Sequence, residues 1–244
     1  MRQRSSTLRI FTLAAGLLGG AASNAADINT LQQLTQAEFR GLSEDLGAAL
    51  SFKPLIPAEP MGLSGFDIGF AVSGTKLQNR AVFQKAAAGA SVPATLPVPS
   101  LRVHKGLPLN IDLGLSYAAL PSSNIRLIGG EVRWAVLPGS VATPAVALRV
   151  SASSLSGVNQ LDLRTTGLDV SVSKGFAVLT PYAGVGTVRV KSDAKGNATQ
   201  TTESFNQTKL FGGLNLNFGL VNWAFEVDKT GQATSYGLKF GLRF

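Results

Sequence analysis

The feature that most constrains the fold is a strict alternation of apolar with small or polar residues through most of residues 66–244. In GFDIGFAVSG, for example, Phe66, Ile68 and Phe70 are separated by acidic or small residues. A period of two is typical of β-strands with two chemically different faces. About ten such stretches can be counted, and no helical pattern between them is long enough for a crossover. The sequence therefore predicts an antiparallel, all-β domain over residues 63–244.

Two connections between the predicted strands are long, and both are polar or small-residue segments. KLQNRAVFQKAAAGASVPATLP follows the first strand and could contain a short helix at residues 81–88. SDAKGNATQTTESFN lies between two later strands and is expected to form a loop. The remaining connections are short turns rich in Gly, Pro, Ser and Asn, such as LPSSN.

The first 25 residues have the layout of a secretory signal peptide. Three arginines precede the apolar run IFTLAAGLLGGAA, and small residues follow it before a cleavage point after Ala25. The apolar run is too short for a membrane-spanning helix, which needs about 20 residues. Export from the cytoplasm is therefore predicted.

Residues 26–62 differ from the rest of the chain. Over residues 27–50, Ile28, Leu31, Leu42 and Leu46 form one broad apolar stripe, which predicts an amphipathic helix. The connector KPLIPAEPMG carries three prolines and is expected to be extended. Three positions for the helix remain open: a plug inside the sheet domain, a cap on its periplasmic side, or a helix on the membrane surface.

Alternation alone fits both a soluble sandwich and a barrel whose apolar face meets lipid. The polar faces here are rich in Gly, Ala and Ser with isolated charges, which suits the crowded inside of a narrow barrel. The inward acids and bases are also close to balanced, as buried charges must be if they pair. The predicted fold is a closed, antiparallel, transmembrane β-barrel of about ten strands, with the N-terminal helix as plug or periplasmic cap.

The residues predicted to form a polar network in the lumen are those in phase with the small residues. They are Asp67, Arg102, His104, Asp112, Glu131, Arg133, Arg149, Asp169, Arg189, Glu226, Asp228, Lys239 and Arg243. Lys191 is expected to point inward as well. Aromatic residues near the strand ends are expected to form interfacial girdles on the lipid face. These are Tyr117, Trp134, Tyr182, Phe218, Trp223, Tyr236, Phe240 and Phe244.

The last nine residues, YGLKFGLRF, place apolar side chains at every second position. These are Tyr236, Leu238, Phe240, Leu242 and Phe244. This ending resembles the C-terminal β-signal of Gram-negative outer-membrane β-barrels, and PYAGVG at residues 181–186 resembles a strand opening in small barrels of that class. The resemblance implies docking on the barrel-assembly machinery and residence in the bacterial outer membrane. An even strand number then predicts that both termini are periplasmic and that the long loops lie outside.

The specific activity is not carried by any motif. A structural barrel, or a narrow transport barrel for small or hydrophobic molecules with a helical plug, is the leading hypothesis. The alternatives are a lipid-modifying enzyme and a surface-loop protein that binds lipopolysaccharide or a host surface. His104 is the one histidine, and its predicted place at the periplasmic end of the lumen does not favour a lipid hydrolase. Lys76, Arg80 and Lys85 could meet lipopolysaccharide phosphates.

Composition excludes several other classes. The chain has no cysteine, so disulfides and thiol chemistry are excluded, and no metal-ligand cluster or cofactor is predicted. The net charge is +8, but the basic residues are scattered over alternating strands rather than gathered in one stripe, so nucleic acid is not an expected partner. The predicted partners are outer-membrane lipids and lipopolysaccharide, and a monomer is expected.

Overall fold

The structure is a computed structural model that describes residues 28–119 and 125–244. The predicted signal peptide at residues 1–25 and the predicted turn LPSSN lie outside the described residues. The described residues form ten strands and two α-helices. The strands are β1 Phe66–Lys76, β2 Thr95–Leu107, β3 Ile111–Ala119, β4 Arg126–Leu137, β5 Ala145–Ser156, β6 Leu161–Ser173, β7 Leu179–Ala194, β8 Glu203–Phe218, β9 Val221–Thr230 and β10 Ala233–Arg243. The helices are α1 Gln36–Leu50 and α2 Arg80–Ala86.

The ten strands close into one antiparallel barrel. Each strand pairs with its neighbours in sequence, and β1 closes the barrel by pairing with β10, from Asp67 opposite Arg243 to Thr75 opposite Ser235. Closure gives every strand two paired neighbours and leaves no edge strand, which a sheet inside lipid requires. The prediction of a ten-stranded antiparallel barrel is confirmed.

The strands are longer at one end than the sequence indicated. β2 begins at Thr95, inside the segment predicted as a loop, and β7 and β8 extend into both ends of the second predicted loop. Pro97 and Pro99 lie in the part of β2 that extends past its pairing with β3, which begins at Ser100. A strand edge without a partner tolerates the missing proline N–H.

The outer face of the barrel is apolar and exposed. Large aliphatic and aromatic side chains cover it on every strand, among them Phe70, Leu101, Leu115, Val132, Val150, Leu168, Val185, Leu214, Phe225 and Leu238. A soluble monomer rarely exposes a contiguous apolar patch larger than a few hundred Å². The belt described here encircles the molecule, so lipid is the solvent that it fits. Among residues 28–119 and 125–244, no helix is long and apolar enough to cross a membrane.

The aromatic residues predicted for the lipid face lie on it with one exception. Trp134, Trp223 and Tyr236 are exposed on the outer face, and the Trp223 ring packs edge-on against Phe240 at 4.8 Å between ring centres. The prediction for Tyr182 is wrong. This residue is buried in the lumen, where its hydroxyl donates to Glu226 at 2.9 Å. Gly213, opposite Tyr182 on β8, leaves the space that the phenol ring occupies.

The barrel has two different ends. The loop mouth is the end at which residues 77–94, 157–160 and 195–202 connect the strands. The terminal mouth is the opposite end, with Phe244, the start of β1 and short connections such as Pro108–Asn110. Phe66 and Phe244 exchange two backbone hydrogen bonds there, at 2.6 and 2.9 Å.

Residues 28–62 run through the lumen from the loop mouth to the terminal mouth. The backbone amide of Asn29 donates to Ala86 of α2, and that of Leu31 donates to Gln160 in the β5–β6 connection. Farther along the segment, the amide of Met61 donates to Asp112 near the terminal mouth. The helix is therefore a plug, neither a periplasmic cap nor a surface helix. The first described residue, Ile28, and Phe244 lie at opposite mouths. The N-terminus itself lies outside the described residues, so the expectation that both termini are periplasmic stays a prediction.

Arg189 and Lys191 point outward, contrary to the prediction. Both are exposed on β7, while Val188 and Val190, at the alternate positions, are buried in the lumen. Near the loop mouth the inside of the barrel is an apolar core around α1, and the outside is polar. The apolar phase of the strand therefore faces inward there, and the basic phase faces outward.

This inverted phase predicts opposite responses at neighbouring residues. Val190→Asp places a carboxylate in an apolar core, so we expect the free energy of unfolding to fall by about 3 kcal/mol or more. Arg189→Asp, on the exposed face of the same strand, should change it by about 0.5 kcal/mol or less. Urea unfolding in detergent micelles measures both variants. Equal losses would contradict the corrected orientation.

Candidate functional site: the occupied lumen

The half of the lumen next to the loop mouth is an apolar core. From the plug, Leu31, Phe39 and Leu42 are fully buried, and from the wall, Leu163 and Val190 pack in the same cluster. The remaining members include Ile28, Leu34, Leu46 and Leu50 of the plug, Phe83 and Ala86 of α2, and Val98, Leu127, Leu155 and Val188 of the wall. Each buried Leu, Val or Phe contributes about 1.5–3 kcal/mol relative to exposure. This half therefore holds α1 as firmly as a soluble core holds a helix.

Gly47 lets α1 approach β7 closely. A Cβ at this position would lie 2.5 Å from a methyl group of Val190. At that distance α1 or the Val190 side chain would have to move. Ser43, one turn earlier on the same face, donates to the carbonyl of Phe39 at 2.8 Å and contacts the hydroxyl of Ser192 at 2.9 Å. Glycine is unfavourable inside a helix. Close packing against the wall explains its presence at position 47.

The start of α1 is capped and tied to the loops. The hydroxyl of Thr35 accepts from the Glu38 amide at 3.2 Å, and the Glu38 carboxylate accepts from the Thr35 amide at 2.7 Å, which is a capping box. The ammonium of Lys85 in α2 bonds the same carboxylate at 2.9 Å. The hydrogen bond from Thr35 and the bond to Lys85 lower the pKa of the Glu38 carboxyl. Lys85, predicted as a phosphate ligand, is thus occupied by an acidic neighbour.

The half of the lumen next to the terminal mouth is polar, and it binds the backbone of the plug. Prolines at 54, 57 and 60 recur every third residue and keep the segment from forming a helix. The residue after each proline donates its backbone N–H to the wall. Leu55 donates to Glu226 at 2.9 Å, Ala58 to the Ser173 hydroxyl at 3.1 Å, and Met61 to Asp112 at 3.1 Å.

Wall cations bind the carbonyl groups of the same segment. Lys209 donates to the carbonyl of Phe52 at 2.6 Å, and Arg102 donates to that of Lys53 at 2.5 Å. Arg133 donates to the carbonyls of Pro57 and Glu59. The wall therefore satisfies both the donors and the acceptors of an extended peptide that has no secondary-structure partner of its own.

A network of ion pairs lies around this segment. All the predicted lumen residues except Arg189 and Lys191 are directed into the barrel. Asp67 bonds the ammonium of Lys239 at 2.7 Å and the guanidinium of Arg243 at 2.8 Å. Asp112 bonds Arg133 at 2.6 Å.

Arg149 of β5 joins carboxylates on the two strands that flank its own, β4 and β6. It donates to Asp169 at 2.6 Å and to Glu131 at 3.4 Å, and all three side chains are buried. His104 lies between Glu131, 3.2 Å from its Nε2, and Asp67, 4.0 Å from its Nδ1. Neither ring nitrogen of His104 has a hydrogen bond of good geometry among the described residues.

Sequence reasoning missed two buried cations. The ammonium of Lys53, in the proline-rich connector, bonds Asp228 at 2.8 Å and the Ser235 hydroxyl at 3.1 Å. Lys209 of β8 was assigned to no face, although its parity with inward Gly213 and Asn215 places it in the lumen. The parity could have found Lys209. No periodicity marks Lys53, because its segment is not a strand.

One cavity in the lumen is small. A cavity beside Phe52, Lys53 and Arg102 has a volume of about 20 Å³, room for about one water molecule. The part of the chain that the structure describes contains no group of His, Asp and Glu residues able to hold a metal ion.

The residues of the predicted assembly signal share one face of the barrel. Tyr236, Leu238, Phe240, Leu242 and Phe244 are all exposed on the outer side of β10 and its end. Their role in docking on the assembly machinery stays a prediction.

No family model matches the sequence, and no curated protein matches it. Several solved structures are similar. The N-terminal β-barrel domain of Pseudomonas aeruginosa OprF is 15% identical, with a TM-score of 0.37 over 75% of this chain and 99% of that chain. The translocator domain of autotransporter NalP from Neisseria meningitidis is 13% identical, with a TM-score of 0.36 over 92% and 99%. The outer membrane protein OprG from Pseudomonas aeruginosa is 13% identical, with a TM-score of 0.34 over 78% and 99%.

The fold assignment rests on the closed strand pairing and the apolar outer face of the chain itself.

The buried Lys53–Asp228 pair predicts a large loss of stability when one partner is removed and a recovery when both are replaced. Lys53→Met leaves a buried carboxylate without its cation, so we expect the free energy of unfolding to fall by about 3–5 kcal/mol. Adding Asp228→Asn should recover most of that loss. Lys85→Met, which breaks a half-exposed pair, is the control and should cost about 1 kcal/mol or less. Urea unfolding in micelles measures all three, and a Lys53→Met loss no larger than the control's would contradict the buried pair.

Proposed function

We propose that the protein is an integral outer-membrane barrel, closed by its own N-terminal segment, that serves as a rigid anchor and presents its loop mouth outside the cell. The observation that carries this proposal is the course of residues 28–62 through the whole lumen. A barrel filled in this way does not conduct solutes as a general porin does. Its functional surface is then the loop mouth, with α2, residues 195–202 and the first residues of the plug.

The packing of the plug supports an anchor over a gated pore. Opening the lumen requires α1 to leave an apolar core that includes Phe39, Leu42 and Leu46, and that cost amounts to several kcal/mol for these side chains alone. The cavity near Phe52 has room for about one water.

A narrow transport barrel is the second candidate, and the proline-rich half of the plug favours it. Residues 51–62 are held by hydrogen bonds and ion pairs, which water or a polar solute can replace. Transport through the whole barrel still needs a path past α1. The anchor role therefore has more support.

A lipid-modifying enzyme has little support from the lumen. His104 is 1% exposed and faces Glu131 and Asp67, away from the lipid. A lipid ester in either leaflet has no route to this imidazole past the strand wall.

Single-channel recording in planar bilayers tests the proposal. The intact protein should show no stepwise conductance, while a variant lacking residues 28–62 should show it, because the wall alone leaves a lumen wider than an eight-stranded barrel. Only preparations that show the heat-dependent gel shift of a folded barrel are compared. Stable open steps from the intact protein would contradict closure and favour transport.

A further inference from the structure

An apolar groove lies on the outer face of the barrel, across β1, β10, β9 and β8. It encloses about 760 Å³. Its outward-facing lining residues include Val72, Gly74, Gly212, Phe225, Val227 and Tyr236.

Two outward glycines create the groove. Gly74 pairs with Tyr236, Tyr236 with Val227, and Val227 with Gly212, so one row across four strands has a glycine at each end. The next row toward the terminal mouth is bulky throughout, with Val72, Leu238, Phe225 and Leu214 in register. The missing side chains leave a depression between bulkier neighbours.

Two lysines stand at the loop-mouth rim of this groove. Lys229 of β9 pairs with Thr234 of β10, and Lys76 of β1 follows Thr75, which pairs with Ser235. The two lysines flank β10, so their Cα atoms are separated by roughly 10 Å, two strand spacings. Both are exposed, and the Lys76 ammonium lies 5.8 Å from the centre of the Tyr236 ring.

Neither ammonium has a hydrogen bond or ion pair with the residues that the structure describes. Two basic residues on the outer face of other strands differ in this respect. Arg164 contacts Asp162 at 3.4 Å, and Lys191 contacts Asp193 at 3.7 Å. The pair at the groove is therefore a positive site without a protein counterion, placed directly above an apolar slot.

We propose that this groove binds a phosphorylated, multiply acylated glycolipid of the lipid A type, with an acyl chain in the slot and a phosphate between Lys76 and Lys229. The apolar slot faces the hydrocarbon layer, so its occupant is a lipid chain. The lysines stand at the rim where the strands leave that layer, at the level of the headgroups. A phosphate group can accept from both ammonium groups at once, whereas a zwitterionic lipid offers no net negative charge.

This assignment rests on the proposed placement of the loop mouth in the outer leaflet. The chemistry of the groove can be tested separately in purified protein. Closure of the lumen and orientation in the cell do not enter that test.

Two variants remove the two parts of the site. Lys76→Gln with Lys229→Gln removes the charge, and Gly212→Leu fills the slot. A Cβ at Gly212 meets only an ordinary contact, 3.7 Å from the carbonyl of Tyr182, so the wall is not strained. Matched controls are Arg126→Gln, an outward base on β4, and Gly130→Leu, an outward glycine on β4 whose Cβ has similar room.

Native mass spectrometry of the protein in detergent micelles, titrated with diphosphoryl lipid A, measures binding. The double lysine variant and Gly212→Leu should each weaken binding by about tenfold or more, and the two controls should match the wild type. Dephosphorylated lipid A and phosphatidylglycerol should bind the wild type more weakly than diphosphoryl lipid A.

Two results would overturn the proposal. One is binding that neither the lysine pair nor Gly212→Leu changes. The other is equal binding of phosphatidylglycerol, which would show a general attraction for anionic lipid. All variants are checked for the heat-dependent gel shift, so loss of folding is not mistaken for loss of the site.

Discussion

The width of a ten-stranded lumen is the constraint on which the rest of the structure depends. Eight strands give an interior that wall side chains can fill, and sixteen or more give an open channel. Ten strands fall between these cases, so the wall leaves space that one additional segment can occupy. Residues 28–62 take that space, and nearly every inward charge has its partner on the wall or on this segment.

The segment is held in two chemically different ways. Around α1 the lumen is apolar, and burial of side chains such as Leu31 and Phe39 stabilises the helix. Toward the terminal mouth the segment has too few apolar side chains for such a core. There its backbone is held instead by Lys209, Arg102 and Arg133 at the carbonyls and by Glu226, Ser173 and Asp112 at the amides. A buried charge is tolerated where it is paired, and the close pairs at Arg149 and Lys239 meet that condition.

Much of this could be predicted from the sequence, because lipid outside a barrel enforces a period of two on every strand. The phase of Asp67, Asp112 or Glu131 follows directly from its apolar neighbours. The same rule failed at Arg189 and Lys191, since near the loop mouth water lies outside and an apolar core lies inside. The prediction for Tyr182 failed with them, because this residue has the parity of the buried Val188 and Val190 on β7, and Gly213 leaves the space that its ring occupies.

The position of the plug could not be predicted. An amphipathic helix satisfies its apolar stripe equally well in a lumen, on a membrane surface or against a rim, and the stripe does not distinguish them. The close approach at Gly47 and the bonds from Leu55, Ala58 and Met61 are three-dimensional facts without a sequence pattern. Such contacts also decide the course of the plug, because they place the two ends of residues 28–62 at opposite mouths.

That course can be measured directly, because the chain contains no cysteine. Asn29 at the loop mouth and Ser64 at the terminal mouth are both exposed, so single substitutions Asn29→Cys and Ser64→Cys introduce unique labelling sites. A membrane-impermeant maleimide added to intact cells should label Asn29→Cys, and it should label Ser64→Cys only after the outer membrane is permeabilised. Labelling of Ser64→Cys but not Asn29→Cys in intact cells, or equal protection of both, would contradict a segment that crosses the lumen to the outside.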